Sequence, residues 1–387
     1  MQSSWNYIKT GYNIAKLPQR ATLEHATFDA WSIIDYTACK HILNCIGIQL
    51  SSHYSAIGES VMRWAVIVLT ASSICAAMVL EAQAEVRACR FHDQDNCLEL
   101  SNESTRIVIV PANGGRIVHY SRDNGPNFFE GGCQIDIGPE LDYPPRHQQL
   151  WAGLYAAKVL GPLSVRLTSP AHEATGVQLV KVITLDQSGA GVTLCQTMKN
   201  VGTTEIAYCH WDRTMTDATH AFFELNSKSR FPARWSMRQG QHGTYSYNGT
   251  SPNSPRVRIL NDLLITIPGK KMEKVAADNV AGWIAGYREG WLYVKRFPVY
   301  AHGDYADGGN SVEIWVNAAG TRTEIEPLSP KVKLQPGESY SFTERCDLRR
   351  VEEQINTHHD IPKLVSSVRR MALEHSNPIS PYGLQMK

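Results

Sequence analysis

Thr105-Arg106-Ile107-Val108-Ile109-Val110 is followed by Pro111-Ala112-Asn113-Gly114-Gly115 and then by Arg116-Ile117-Val118-His119-Tyr120. Two runs rich in β-branched residues, joined by turn chemistry, read as two antiparallel strands and their connection. The same plan repeats along the chain. Residues 177–185 and 192–201 flank Asp186-Gln187-Ser188-Gly189-Ala190-Gly191, and 283–287 and 291–297 flank Arg288-Glu289-Gly290. Further on, 312–317 and 321–327 flank Ala318-Ala319-Gly320, and 331–334 and 339–343 flank Gln335-Pro336-Gly337-Glu338. Consecutive hairpins with no long amphipathic helix between them predict an all-β protein, an antiparallel sandwich or barrel. The strand-rich span is about 250 residues, more than an immunoglobulin-sized unit. One large two-sheet β-sandwich over 85–350 is therefore expected. The tail changes period: Leu364, Val365, Val368, Met371 and Ala372 recur at helical spacing behind Pro362. That predicts an amphipathic helix over 362–375, within a C-terminal segment 351–387.

The chain has 387 residues, a net charge of +1 and 43% apolar residues. So balanced a charge offers no field for nucleic acid or an anionic membrane. No G-x-G-x-x-G or phosphate loop follows a strand, and no cofactor is expected. Met62-Arg63, an apolar run over 64–80 and then Glu81-Ala82-Gln83-Ala84 have the order of a secretory signal peptide. Thr70, Ser72 and Ser73 within the run argue against a permanent membrane span. The expectation is cleavage after Ala84 and export to the periplasm or the extracellular space, with an uncleaved signal anchor as the alternative. Residues 1–61 show no sustained period and are expected to be absent from the native protein or a disordered extension.

Residues 85–387 hold six cysteines: Cys89, Cys97, Cys133, Cys195, Cys209 and Cys346. Export permits disulfides. Cys89 and Cys97 flank the short polar loop 90–96 and are the expected pair, while the other four suit buried thiols in strands. There is no C-x-x-C pair and no His/Asp cluster with metal-ligand spacing, so no metal site is expected.

Candidate chemistry centres on 313–348. Glu313, Glu324 and Glu326 stand inside strand patterns, and period two puts Glu324 and Glu326 on one face and Ile325 on the other. A carboxylate so placed either faces solvent or lines a cleft. Ile325-Glu326-Pro327-Leu328-Ser329-Pro330 and Leu334-Gln335-Pro336-Gly337-Glu338-Ser339-Tyr340 resemble the C-terminal signature of the galactose mutarotase-like (aldose 1-epimerase) superfamily. Leu100-Ser101-Asn102, Ile107-Val108-Ile109-Val110-Pro111, Gly114-Gly115-Arg116-Ile117 and Gly125-Pro126-Asn127 are similar to the opening strands of that fold. Gln134-Ile135-Asp136-Ile137-Gly138-Pro139-Glu140, Cys209-His210-Trp211-Asp212-Arg213-Thr214 and Asp307-Gly308-Gly309-Asn310-Ser311-Val312-Glu313 more closely resemble an uncharacterised bacterial family, domain of unknown function 4380.

The resemblance implies the mutarotase supersandwich and a carbohydrate ligand. In the superfamily's epimerases a glutamate takes the proton of the anomeric hydroxyl while a histidine protonates the ring oxygen. That chemistry needs a base and an acid on opposite sides of one sugar. By motif the base falls on Glu326 and the acid on His210, whose strand shares with the epimerases a His followed by an aromatic residue. A further family histidine has His147 as its candidate substitute.

Trp151, Trp211, Trp283, Trp291 and Trp315 are candidates to stack on pyranose faces. Arg116, Arg166, Arg213 and Lys295 lie in strand patterns, where a cation needs a carboxylate such as Asp136, Glu140 or Asp212, or an anionic ligand. With Trp151, Trp211 and Glu313 they are the expected substrate-binding residues. If several line one cleft, a uronic acid or sulfated sugar suits them. The expected function is an exported carbohydrate-binding protein with epimerase-type chemistry, or with none: a polysaccharide binder or structural sandwich stays open.

Overall fold

The computed structural model describes residues 85–138, 145–239, 246–247, 254–355 and 358–374. The expected signal segment, the extension before it and Glu140 lie outside them.

Among the described residues two antiparallel sheets pack face to face. The larger has twelve strands. Its spatial order is β1 (Glu85–Phe91), β2 (Gln94–Ser101), β3 (Thr105–Val110), β4 (Arg116–Arg122), β5 (Phe129–Gly138), β10 (Ile206–Thr216), β20 (Thr323–Pro327), β19 (Val312–Val316), β16 (Glu273–Ala277), β12 (Ser236–Gln239) and β13 (Ser246–Tyr247), with β21 (Val332–Leu334) paired to β10. The smaller has ten, ordered β14 (Val257–Leu260), β15 (Leu263–Thr266), β11 (His220–Glu224), β17 (Trp283–Arg288), β18 (Trp291–Arg296), β22 (Ser339–Arg350), β9 (Val192–Asn200), β8 (Val177–Leu185), β7 (Ser164–Thr168) and β6 (Ala156–Gly161). The all-β sandwich expected from the hairpins is the architecture found.

Strict alternation builds the core. In β8 every second residue from Val177 to Leu185 is buried and those between are half-exposed, as a strand with one covered face requires. Ile107, Ile117, Ile135, Ile137, Ile314 and Ile325 of the larger sheet enter one core cluster with Val165, Leu179, Leu194 and Phe342 of the smaller. Each such side chain contributes about 1.5–3 kcal/mol relative to exposure. The central strands of the larger sheet break the alternation: β19 and β20 are largely buried on both faces. Their outer face is therefore covered, and it carries polar residues.

One expected hairpin is absent. Residues 331–334 and 339–343 do not pair: β21 joins β10 in one sheet, while β22 pairs with β9 and β18 in the other. The turn between them crosses the sandwich, held by Asn200 at the end of β9. Gly337 N–H donates to Asn200 O at 2.9 Å, and Asn200 Nδ2 donates to Leu334 O at 2.9 Å.

Helix α2 (Ile361–Leu373) begins with Pro362 in its first turn, close to the expected bounds. Its Leu364, Val365, Val368 and Met371 bury the outer face of the smaller sheet against Phe222, Trp283 and Tyr287. Trp283 is thus core beneath a helix and offers no surface to a sugar.

Candidate functional site

The pleat of β10 sorts the candidates. Trp211 and Arg213 sit opposite Asp136 and Gln134 of β5, whereas His210 and Asp212 sit opposite Ile137 and Ile135. Both isoleucines belong to the inter-sheet core. His210 and Asp212 therefore point inward, and Trp211 and Arg213 outward. On the neighbouring strands Glu326 lies opposite Glu313, Glu324 opposite Trp315, and Trp315 opposite Lys274. With Ile325 in the core, these polar residues share the outer face, as the period-two reading of Glu324 and Glu326 required.

A buried ionic cluster forms there. Lys274 Nζ lies 2.6 Å from Glu313 Oε2 and 2.8 Å from Glu326 Oε2. Trp211 Nε1–H donates to the same Glu326 oxygen at 2.6 Å. The Lys274 ammonium is 5.0 Å, and the Arg213 guanidinium carbon 4.4 Å, from the Trp211 ring centroid. Trp211 is 3% exposed. It frames the Glu326 carboxylate and carries two cations over its ring, a role different from the stacking platform expected.

Arg213 extends the network. Its Nη2 donates to Asp136 Oδ2 at 2.5 Å, and His147 Nε2 stands 2.7 Å from Asp136 Oδ1. His147 Nδ1 lies 2.8 Å from Pro145 O. Burial alone would lower the His147 pKa, but the hydrogen bond and charge of Asp136 overcome it, and the imidazole is held above its usual value. His147 thus lies on the Glu326 face with both ring nitrogens engaged.

Two glycines shape the edge of this face. Gly114, at φ +67°, lies in the turn after β3, and a Cβ there would overlap Trp151 O of helix α1 (Gln148–Ala152). Gly132, at φ +89°, sits beside a bulge in β5, where a Cβ would overlap Ile117 O and crowd the stem of Arg116. The Arg116 guanidinium consequently lies over the strand, with Nη1 donating to Gly131 O at 3.1 Å and Nη2 to Gln134 Oε1. Around the buried cluster, Arg116, Trp151, Arg213, Trp315, Arg322 and Glu324 are half-buried and form its partly exposed rim.

The structure brings together Glu326, Glu313, Trp211, Arg213, Arg116 and Trp151, and it separates others from them. His210 is buried between the sheets. Its ring stacks on Phe342 at 6.3 Å, its Nε2 lies 3.2 Å from Tyr340 O, and burial lowers its pKa to about 4. A histidine neutral at ordinary pH and on the far side of the sheet from Glu326 does not form the expected acid/base couple. Lys295 is likewise inside: its Nζ lies 2.8 Å from Asp212 Oδ1 and 3.0 Å from Glu344 Oε2. It answers buried carboxylates, and no ligand. Arg166 is exposed on the smaller sheet, between the inward Val165 and Leu167, and does not contribute to this face. Cys89 and Cys97 stand directly opposite one another in β1 and β2 as free thiols. The reading missed Lys274 and Arg322. Lys274 lies in Glu273-Lys274-Val275-Ala276-Ala277, where the register sets it opposite Trp315 and only its ion pair shows that it reaches diagonally to Glu313.

No family model and no curated protein matches the chain, so the narrower resemblance to domain of unknown function 4380 finds no match. Solved structures do match. A candidate aldose 1-epimerase from Escherichia coli aligns over 65% of this chain and 98% of its own, at 11% identity and a TM-score of 0.51. A galactose mutarotase-like protein from Lactobacillus casei aligns over 65% and 100%, at 12% identity and a TM-score of 0.47. Another from Clostridium acetobutylicum aligns over 70% and 99%, at 10% identity and a TM-score of 0.47. The first likeness shows the fold alone: the chain shares the two-sheet β-sandwich of that structure.

Proposed function

We propose that the protein binds a carbohydrate on the outer face of its larger sheet and does not epimerise it through Glu326 and His210. The observation that carries this reading is the opposition of the two side chains: Glu326 faces outward against Trp211 and Lys274, while His210 faces inward against Tyr340 and Phe342. Acid/base turnover of one sugar ring needs both groups in one cavity. Binding needs aromatic surface and hydrogen-bonding groups, and Trp151, Trp315, Arg116, Arg213 and Glu324 supply both at the accessible rim. The sandwich itself supports a sugar-related role by analogy of fold alone.

The test is calorimetric titration with mono- and oligosaccharides, paired with NMR measurement of anomer exchange. The expected result is binding weakened by Trp151→Ala, with no enzyme-dependent exchange. Exchange accelerated by the wild type and abolished by Glu326→Gln would overturn the non-catalytic part. Absence of binding to every sugar would overturn the rest. We extend the proposal to export, on the strength of the 62–84 pattern; cell fractionation that finds the protein in the cytoplasm with its N-terminal segment intact would end that extension.

A further inference from the structure

We propose that the ligand of this face is an acidic sugar, its carboxylate or sulfate gripped by Arg116 with help from Arg213 and Arg322 while its ring lies against Trp151. The inference rests on the carbohydrate reading above and names the class of sugar.

Three guanidiniums gather on the outer face. Arg116 comes from β4 and Arg213 from β10. Arg322 stands one residue before β20, in the same alternation as Glu324 and Glu326. Gln134, to which Arg116 donates, is the residue directly opposite Arg213, so a single amide separates the first two. Arg213 has a carboxylate partner in Asp136. Arg116 has neutral partners only, Gly131 O and Gln134 Oε1, and neither it nor Arg322 forms an ion pair among the described residues. Burial, and then the positive charge of Arg213, bring the Arg116 pKa down to about 10; Arg322 adds to that and Glu324 opposes it.

Like charges held together at a half-buried surface are unfavourable while the site is empty. They become favourable when an anion arrives, and the planar guanidinium fork matches the paired oxygens of a carboxylate or sulfate. Beside the cluster, the half-buried Trp151 ring lies 6.0 Å from the Arg213 guanidinium. A flat apolar surface next to an oxyanion grip suits a pyranose with one charged substituent.

The test titrates the full chain with galacturonate, galactose 6-sulfate and neutral methyl galactoside, at low and high salt. At low salt at least one acidic sugar should bind about tenfold or more tighter than the neutral one, the size of a charge-assisted contact. High salt should narrow the gap. Arg116→Gln should erase the preference, weakening the acidic sugar about tenfold more than the neutral one; Arg322→Gln, in an exposed hairpin, should reduce the preference and serves as the second variant if Arg116→Gln melts early. Preference for galacturonate alone would identify a uronate, and for galactose 6-sulfate alone a sulfate ester. Equal binding of all three, or an acidic preference untouched by both variants, overturns this inference while the carbohydrate reading stands. Inorganic sulfate binding as tightly as the sulfated sugar overturns the sugar's part in it. No binding of any sugar overturns both.

Discussion

The larger sheet carries a buried lysine against each of its faces, and the two are solvents' opposites in what surrounds them. On the inner side Lys295 reaches across from β18 to Asp212 and Glu344, with Thr214 Oγ1 at 2.8 Å and a core of aliphatic side chains beyond. Burial, and then the charge of Asp212, push the Glu344 carboxyl well above the ordinary range, so this cluster has little charge to spare. On the outer side Lys274 bridges Glu313 and Glu326 with Arg238 directly opposite it in β12 and Arg213 over the shared Trp211 ring. The inner lysine is the cation that both carboxyl groups meet. The outer one belongs to a larger network of both signs that ends at a rim of half-buried arginines. One arrangement closes the sandwich, and the other leaves charge available at a surface.

The largest effect should follow from cutting the inner cluster. Lys295→Met leaves two buried carboxyl groups without their cation and should cost about 3–5 kcal/mol in urea unfolding. A loss below about 1 kcal/mol, the range of an exposed pair, would show that water reaches the cluster and would break the contrast.

Next is the pH response of the inner face. Folding holds His210 near a pKa of about 4, while the unfolded imidazole titrates near 6.5. Its neutral form is favoured in the fold, so the associated stability is full above about pH 6.5 and falls as pH drops toward 4, by roughly 3 kcal/mol. His210→Phe should flatten that acid limb in pH-dependent denaturation, and an unchanged limb would place the proton elsewhere.

Lys274→Met should be milder than Lys295→Met, about 1–3 kcal/mol, because Arg213 and Arg238 remain on that face to meet the carboxylates. Equal losses for the two substitutions would erase the distinction between the faces. The smallest expected effect is at His147, and its sign is opposite to that of His210. Its folded pKa is raised, so its contribution is fully present below about pH 6.5 and is lost as pH rises through the folded value. His147→Gln should remove a shallow alkaline-side decline; a decline that persists in the variant would assign it to another group.

Strand identity was legible because period-two patterning and turn residues are local: β3/β4, β8/β9, β17/β18 and β19/β20 all pair as their connections foretold. The helix was legible for the same reason. The chain crossing at Gln335-Pro336-Gly337-Glu338 was not, since a turn motif does not record which sheet the next strand joins, and here a distant Asn200 decides it.

By itself the sequence determined faces within a strand, as period two did for Glu324 and Glu326 together against Ile325. What only the tertiary structure decided is which face meets the core and which cations answer which carboxylates. Alternation is a property of one backbone, whereas Lys274 with Glu326, Lys295 with Glu344 and the gathering of Arg116, Arg213 and Arg322 depend on strand order and on the stacking of two sheets. Those contacts join residues tens to hundreds of positions apart, and no local pattern carries them.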